Sequence, residues 1–138
     1  MILIDNETRT SKSPRHSYTT NSHIVLSGDL NGAKRLFGGT LMSWIDITAS
    51  ICAKRHADSE VVTAKISEVN FTYPAYANEI VQINAQIISV GQTSIHVEVK
   101  VFVTELNGES RHVCDAKMVF VSIDEAGNKK VVPLLKND

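Results

Sequence analysis

The sequence predicts an α+β fold in which an antiparallel sheet curls around one long helix. Three observations carry this: residues 39–57 form a single helix-like stretch that is apolar over most of its circumference, four long extended stretches follow it, and one shorter stretch precedes it. A helix apolar on most sides has to be buried on more than one of them, and a sheet wrapped around it supplies that cover.

Taken in order, residues 1–16 are rich in Ser, Thr, Asn and charge with little periodicity, and read as a flexible N-terminal arm ahead of a single domain over residues 17–138. Between Ser17 and Ser27, Tyr18, Thr19, Thr20, Ile24 and Val25 suit a first strand, closed by the turn signal Gly28-Asp29. Gly38-Gly39-Thr40 then suits a helix start and Lys54-Arg55-His56 its electronegative end, giving a helix from about Gly39 to Ala57. From Val61 to Tyr73 the apolar parity switches from Ala64 and Ile66 to Val69, Phe71 and Tyr73, which predicts a bulge near Ser67 or Glu68; Pro74 ends the strand. Val81, Ile83, Ala85 and Ile87 alternate with polar residues up to Gly91, and Ile95, Val97, Val99, Val101 and Val103 do the same. Leu106-Asn107-Gly108-Glu109 makes a hairpin turn, and Arg111 to Ile123 returns with Cys114, Ala116, Met118 and Phe120 on one face. Asp124 to Asn128 turns once more and leaves Val131-Val132-Pro133 as a short end.

At 138 residues the chain is of one-domain size, and a formal charge of -1 gives no electrostatic ground for a nucleic-acid or membrane partner. Met1-Ile-Leu-Ile meets Asp5 at once, short of a signal peptide, so the expected location is the cytoplasm. Cys52 and Cys114 sit in apolar segments as buried free thiols, and the five histidines lack metal-ligand spacing, so no metal is assigned.

One carboxylate interrupts the helix. Asp46 must be solvated through a cleft, paired or shifted in pKa, because an isolated buried charge is too costly to keep. That makes it a candidate general base or nucleophile, while the backbone N–H of Gly39, at the positive end of the helix dipole, is a candidate oxyanion donor. The seven residues between them span about 10 Å of helix, too far to act on one carbonyl from one chain, so the two must come from different subunits. Each assignment has a plainer alternative: Asp46 as a solvated or paired helix carboxylate, Gly38-Gly39 as a turn and cap, Asn31 as an Asx-turn residue, Ser50 as a small packing residue.

The runs Asp29-x-Asn31, Phe37-Gly38-Gly39, Leu41-Met42-Ser43-Trp44-Ile45-Asp46 and Ala53-Lys54-Arg55-His56 resemble the hotdog-fold acyl-CoA thioesterases of the YciA and YkhA type. Val62-Thr63, Phe71-Thr72-Tyr73-Pro74, Gly91-Gln92-Thr93-Ser94 and Phe120-Val121-Ser122-Ile123-Asp124 extend the resemblance over roughly residues 20–135. The resemblance implies a hotdog fold with a curved sheet of about five to six strands, an acyl-CoA substrate split into acid and CoA, and no cofactor beyond the CoA of the substrate. It further implies a homo-oligomer, at least a dimer, with a trimer of dimers open as a larger assembly, and sites shared between antiparallel central helices.

In that frame Asn31 orients the thioester or water, Ser50 holds the water, Phe37 and Gly38 line the substrate site, and Gly91, Thr93 and Ser94 contact the nucleotide part of CoA. Two departures stand out: Lys34 stands where family members often carry Gly or a polar residue, and Asn78 where they often carry Gly. Rival readings are a non-enzymatic acyl-CoA sensor, which needs no carboxylate, and a hotdog acyl hydratase or dehydratase, which wants a histidine beside the acid.

Overall fold

The computed structural model describes residues 9–137. Its core element is α2 (Gly38–Ala57), preceded by β1 (Ser11–Lys12), α1 (Pro14–Ser17) and β2 (Thr19–Ile24), and followed by β3 (Glu60–Phe71), β4 (Ile80–Val90), β5 (Ser94–Thr104), β6 (Ser110–Ile123) and β7 (Leu134–Leu135). Strands β2, β4, β5, β6 and β3 form one antiparallel sheet in that order, and β1 and β7 pair separately in parallel. The single long helix on a five-stranded sheet is the expected architecture.

Alternation explains the core. Val81, Ile83, Ala85 and Ile87 of β4, Ile95 to Val103 of β5, and Cys114, Ala116, Met118 and Phe120 of β6 turn one face of the sheet inward. Against it α2 sets Leu41, Ile45, Thr48, Ala49, Cys52, Ala53 and His56, a stripe at three- and four-residue spacing. Burial pushes the thiol pKa of both Cys52 and Cys114 up to about 11, so they stay protonated and unreactive at neutral pH. The helix is buried along this one stripe only: Ile47 on the other side is 52% exposed, as is much of edge strand β3, including Val62 and Ile66. Within one chain the second apolar side of the helix therefore lies open.

The bulge in β3 falls where the parity change puts it, with a register shift against β6 between Ser67 and Asn70 and Glu68 at φ 52°. Asn78 is left-handed at φ 69° and Lys34 at φ 63°, so both departures sit in backbone that favours Gly. Lys34→Gly is accordingly expected to raise the unfolding free energy by about 0.5–1 kcal/mol, the side-chain strain at positive φ exceeding the extra chain entropy of Gly; chemical denaturation measures it.

Residues 9–16 do not behave as an arm, whereas residues 1–8 lie outside the described residues. Ser11 and Lys12 pair with Leu134 and Leu135, and the Arg9 guanidinium donates to the carbonyls of Val132 and Gly91 at 2.6 and 3.0 Å. Lys12 Nζ reaches the Arg55 carbonyl at 3.1 Å, placing a cation at the electronegative end of α2. At the same end His56 Nε2–H donates to the Pro133 carbonyl at 2.8 Å, tying the helix to the C-terminal segment. Burial, opposed by that bond, lowers the His56 pKa and keeps the ring neutral.

Candidate active site

The segment from Asp29 to Phe37 is a small hairpin that delivers Asn31 to the start of α2. The Asp29 carboxylate accepts from Leu26 N–H at 2.9 Å and so shapes the entering turn, while its carbonyl accepts from Phe37 N–H at 2.8 Å. Leu30 and Leu36 bridge, and Leu36 N–H reaches the Ala75 carbonyl at 2.8 Å, anchoring the hairpin to the loop before β4. Asn31 closes an Asx turn: its Oδ1 accepts from the N–H groups of Ala33 and Arg35 at 2.9 and 3.2 Å. The plainer reading of Asn31 is thus correct for its oxygen. With both N–H groups held by the oxygen, the side-chain NH2 is left without a hydrogen bond to any described residue, on a residue that lines an open cavity.

That cavity, of about 370 Å³, is bounded by Asn31, Arg35, Gly38, Leu41, Phe71 and Tyr73 among others. Gly38 and Gly39 open α2 with no side-chain cap, so their first-turn N–H groups are available to a ligand. Close approach matters at Gly39, where a Cβ would sit 2.7 Å from the ring of Phe37, itself 54% exposed.

Asp46 lies elsewhere. It is partly exposed, and its Oδ1 accepts from Thr63 Oγ1 at 2.8 Å, so the helix carboxylate is both solvated and hydrogen-bonded, to strand β3. It takes no part in lining the cavity. The uninterrupted helix keeps it about 10 Å along the axis from Gly39. Ser50, one turn further, donates to the Ile47 carbonyl at 2.8 Å, which leaves its oxygen lone pairs as acceptors toward a water. Among the described residues no histidine hydrogen-bonds Asp46: His23 stacks on Trp44 with centroids 4.2 Å apart, and His56 is buried against Pro133.

Gly91 and Thr93 sit in the β4–β5 turn and Ser94 opens β5, one strand length, about 33 Å, from the cavity end of the sheet. Gly91 N–H bonds the Ser94 carbonyl, and the carbonyls of Gly91 and Thr93 accept from Arg9 and Ser122. One chain therefore brings together Asn31, Phe37, Gly38 and Gly39 at one end, Asp46, Ser50 and Thr63 at mid-helix, and Gly91 to Ser94 at the far end.

The family model described as Thioesterase superfamily matches residues 33–108, from the Asn31 hairpin through α2 to the β5–β6 turn. The chain belongs to the thioesterase superfamily. Bacillus subtilis YkhA, described as an uncharacterized acyl-CoA thioester hydrolase, is 35% identical over 128 residues, covering 92% of this chain and 74% of its own. The acyl-CoA hydrolase of Staphylococcus aureus, solved with butyryl coenzyme A, coenzyme A and coenzyme A disulfide, superposes with a TM-score of 0.89 at 32% identity, over 93% of this chain and 80% of its own. A hexameric acyl-CoA thioesterase solved in its apo form gives a TM-score of 0.90 at 32% identity, over 94% and 83% of the two chains. The resemblance read from the sequence motifs is borne out.

The Staphylococcus aureus enzyme has also been solved with an aspartate, an asparagine and a threonine each replaced by alanine; its asparagine precedes the aspartate by 15 residues and its threonine follows by 17. Asn31, Asp46 and Thr63 have the same two spacings. Thr63, which hydrogen-bonds Asp46, is a candidate that sequence reasoning did not single out, although Val62-Thr63 was part of the motif. Thr63→Val, which keeps shape but removes the hydroxyl that holds Asp46, is expected to lower kcat about 10- to 100-fold with little change in KM, as steady-state kinetics will show.

Proposed function

We propose that this protein is an acyl-CoA thioesterase whose active site is completed by two subunits. Support for the activity comes from the family and from relatives named acyl-CoA thioester hydrolases. The observation that carries the shared site is the separation of its halves: Asn31 and Gly38 line the cavity at the start of α2, with Gly39 next to them in the first turn, while the carboxylate sits mid-helix, hydrogen-bonded to Thr63. Two antiparallel α2 helices, packed through the open side marked by Ile47, bring Gly39 and Asn31 of one chain toward Asp46 of the other. The hexameric relatives fit a trimer of such dimers.

In this site the thioester oxygen accepts from Gly39 N–H, the Asn31 NH2 orients the thioester or water, and Asp46, held by Thr63, attacks the carbonyl or takes a proton from the water that Ser50 holds. Phe37 and Gly38 line the entry. Contact of Gly91, Thr93 and Ser94 with CoA requires a neighbouring subunit, because their own cavity is a strand length away. The chemistry is complete with a carboxylate and N–H donors, so the reading assigns no metal or redox cofactor. It puts the enzyme in the cytoplasm, in fatty acid metabolism; among the described residues no helix is long and apolar enough to cross a membrane.

A thiol-release assay over acyl-CoA substrates of increasing length, with aromatic and branched members, tests the activity. Release with kcat/KM of about 10⁴ M⁻¹s⁻¹ or more on at least one substrate is expected. Absence of release across the series overturns it and favours a binding module.

A further inference from the structure

We propose that Arg35, backed by Lys34, binds a negatively charged group that the substrate carries away from its thioester. The inference rests on the thioesterase reading of the same site and adds a recognition residue to it. Arg35 is locked to Asn31 through its backbone: Asn31 N–H donates to the Arg35 carbonyl at 2.8 Å, and Arg35 N–H donates to Asn31 Oδ1 at 3.2 Å. Its backbone is thus fixed to that of Asn31, and the residue, exposed to solvent, lines the same cavity as Asn31 and Gly38.

The side chain is uncommitted. Arg55 and Arg111 spend guanidinium donors on protein oxygens, those of Thr19, Pro74 and Glu79, and Arg9 spends them on Val132 and Gly91. Arg35 makes no side-chain hydrogen bond or ion pair with any described residue, and neither does Lys34. Two adjacent cations without a counter-ion therefore stand beside the positive end of α2, in a chain whose formal charge is -1. These fields add and draw an anion to the cavity mouth.

Acyl-CoA offers an anion in two places: the phosphates of its nucleotide end, and a terminal carboxylate when the acyl group comes from a dicarboxylic acid. A guanidinium grips either in a bidentate fork. Arg35 is four residues from Gly39, so the two Cα atoms are at most about 14 Å apart, and the long side chain extends the reach to either group. The shared chemistry is an oxyanion on the substrate.

Arg35→Gln tests this with three substrates: butyryl-CoA, S-butyryl-pantetheine, which lacks phosphate, and glutaryl-CoA, which adds a carboxylate. The expected result is a rise of about tenfold in KM, kcat holding within about twofold, on the substrates that carry the recognised anion and not on the others. A rise on both CoA esters with the pantetheine ester unchanged assigns the phosphate, and a rise confined to glutaryl-CoA assigns the carboxylate. Arg35→Lys keeps the charge but loses the fork, and recovers only part of the loss. Unchanged KM on all three substrates, or an equal loss that includes the uncharged pantetheine ester, overturns the proposal. Calorimetric titration with CoA and with glutaryl-CoA keeps the two readings apart. A parent chain that binds them without hydrolysis fails the thioesterase reading alone, and Arg35→Gln binding both as tightly as the parent fails this one.

Discussion

Asp46→Asn is expected to lower kcat for acyl-CoA hydrolysis by about 10³-fold or more while CoA affinity stays within about threefold. The substitution is nearly isosteric, and an asparagine oxygen still accepts the 2.8 Å bond from Thr63 Oγ1, so the side chain stays in place on the partly exposed helix face. What disappears is the negative charge and the basic lone pair, the two properties that a nucleophile or a general base requires. Stopped-flow or steady-state thiol release reads the rate, and calorimetry with CoA reads the affinity. An Asp46→Asn protein that binds CoA and hydrolyses acyl-CoA as fast as the parent would sink the catalytic role. In the parent, single turnover in oxygen-18 water tests for nucleophilic attack: label entering the Asp46 carboxylate marks an acyl–enzyme anhydride opened at the enzyme's carbonyl.

The strands β4, β5 and β6 were legible because each buries one face, so period-two alternation is written into their residues. The same logic located the β3 bulge, since a one-residue insertion must reverse the parity of everything after it. The pairing of Ser11 and Lys12 with Leu134 and Leu135 was not legible: two residues hold no period, and their partners lie at the other end of the chain. Thr63 was passed over for a related reason. Edge strand β3 faces no core along most of its length, and only the position of the hydroxyl over Asp46 distinguishes this threonine from a solvent-facing one. Asn31 showed the reverse: its two candidate readings were opposed in the sequence, yet a turn that occupies the oxygen leaves the NH2 uncommitted, so the two do not exclude each other. Contacts between subunits leave no periodicity to read, although the excess apolar surface of α2 marked where one is needed.

Mixing Asp46→Asn chains with Asn31→Ala chains is expected to restore activity that neither possesses alone. In the proposed site each active centre draws Asn31 and Gly39 from one subunit and Asp46 from the other. In a mixed dimer, one centre therefore joins the intact hairpin of the Asp46→Asn chain to the intact carboxylate of the Asn31→Ala chain, and the other centre holds both lesions. Random association of equal amounts makes half of the dimers mixed, with one good centre in two, so activity should return to about a quarter of the parental value. If both halves served one carbonyl from within a chain, every centre would carry a lesion and nothing would return. The continuous helix sets about 10 Å between Gly39 and Asp46, more than twice the near-attack separation of reacting atoms, so a single chain has no means of bringing them together. Co-expression with two affinity tags isolates the mixed species and removes incomplete exchange as a cause of failure. Doubly tagged oligomers that stay as inactive as their parents count against the shared site; recovery near a half in isolated mixed dimers, or near a quarter in the unsorted mixture, is the result expected of two halves on opposite sides of one interface.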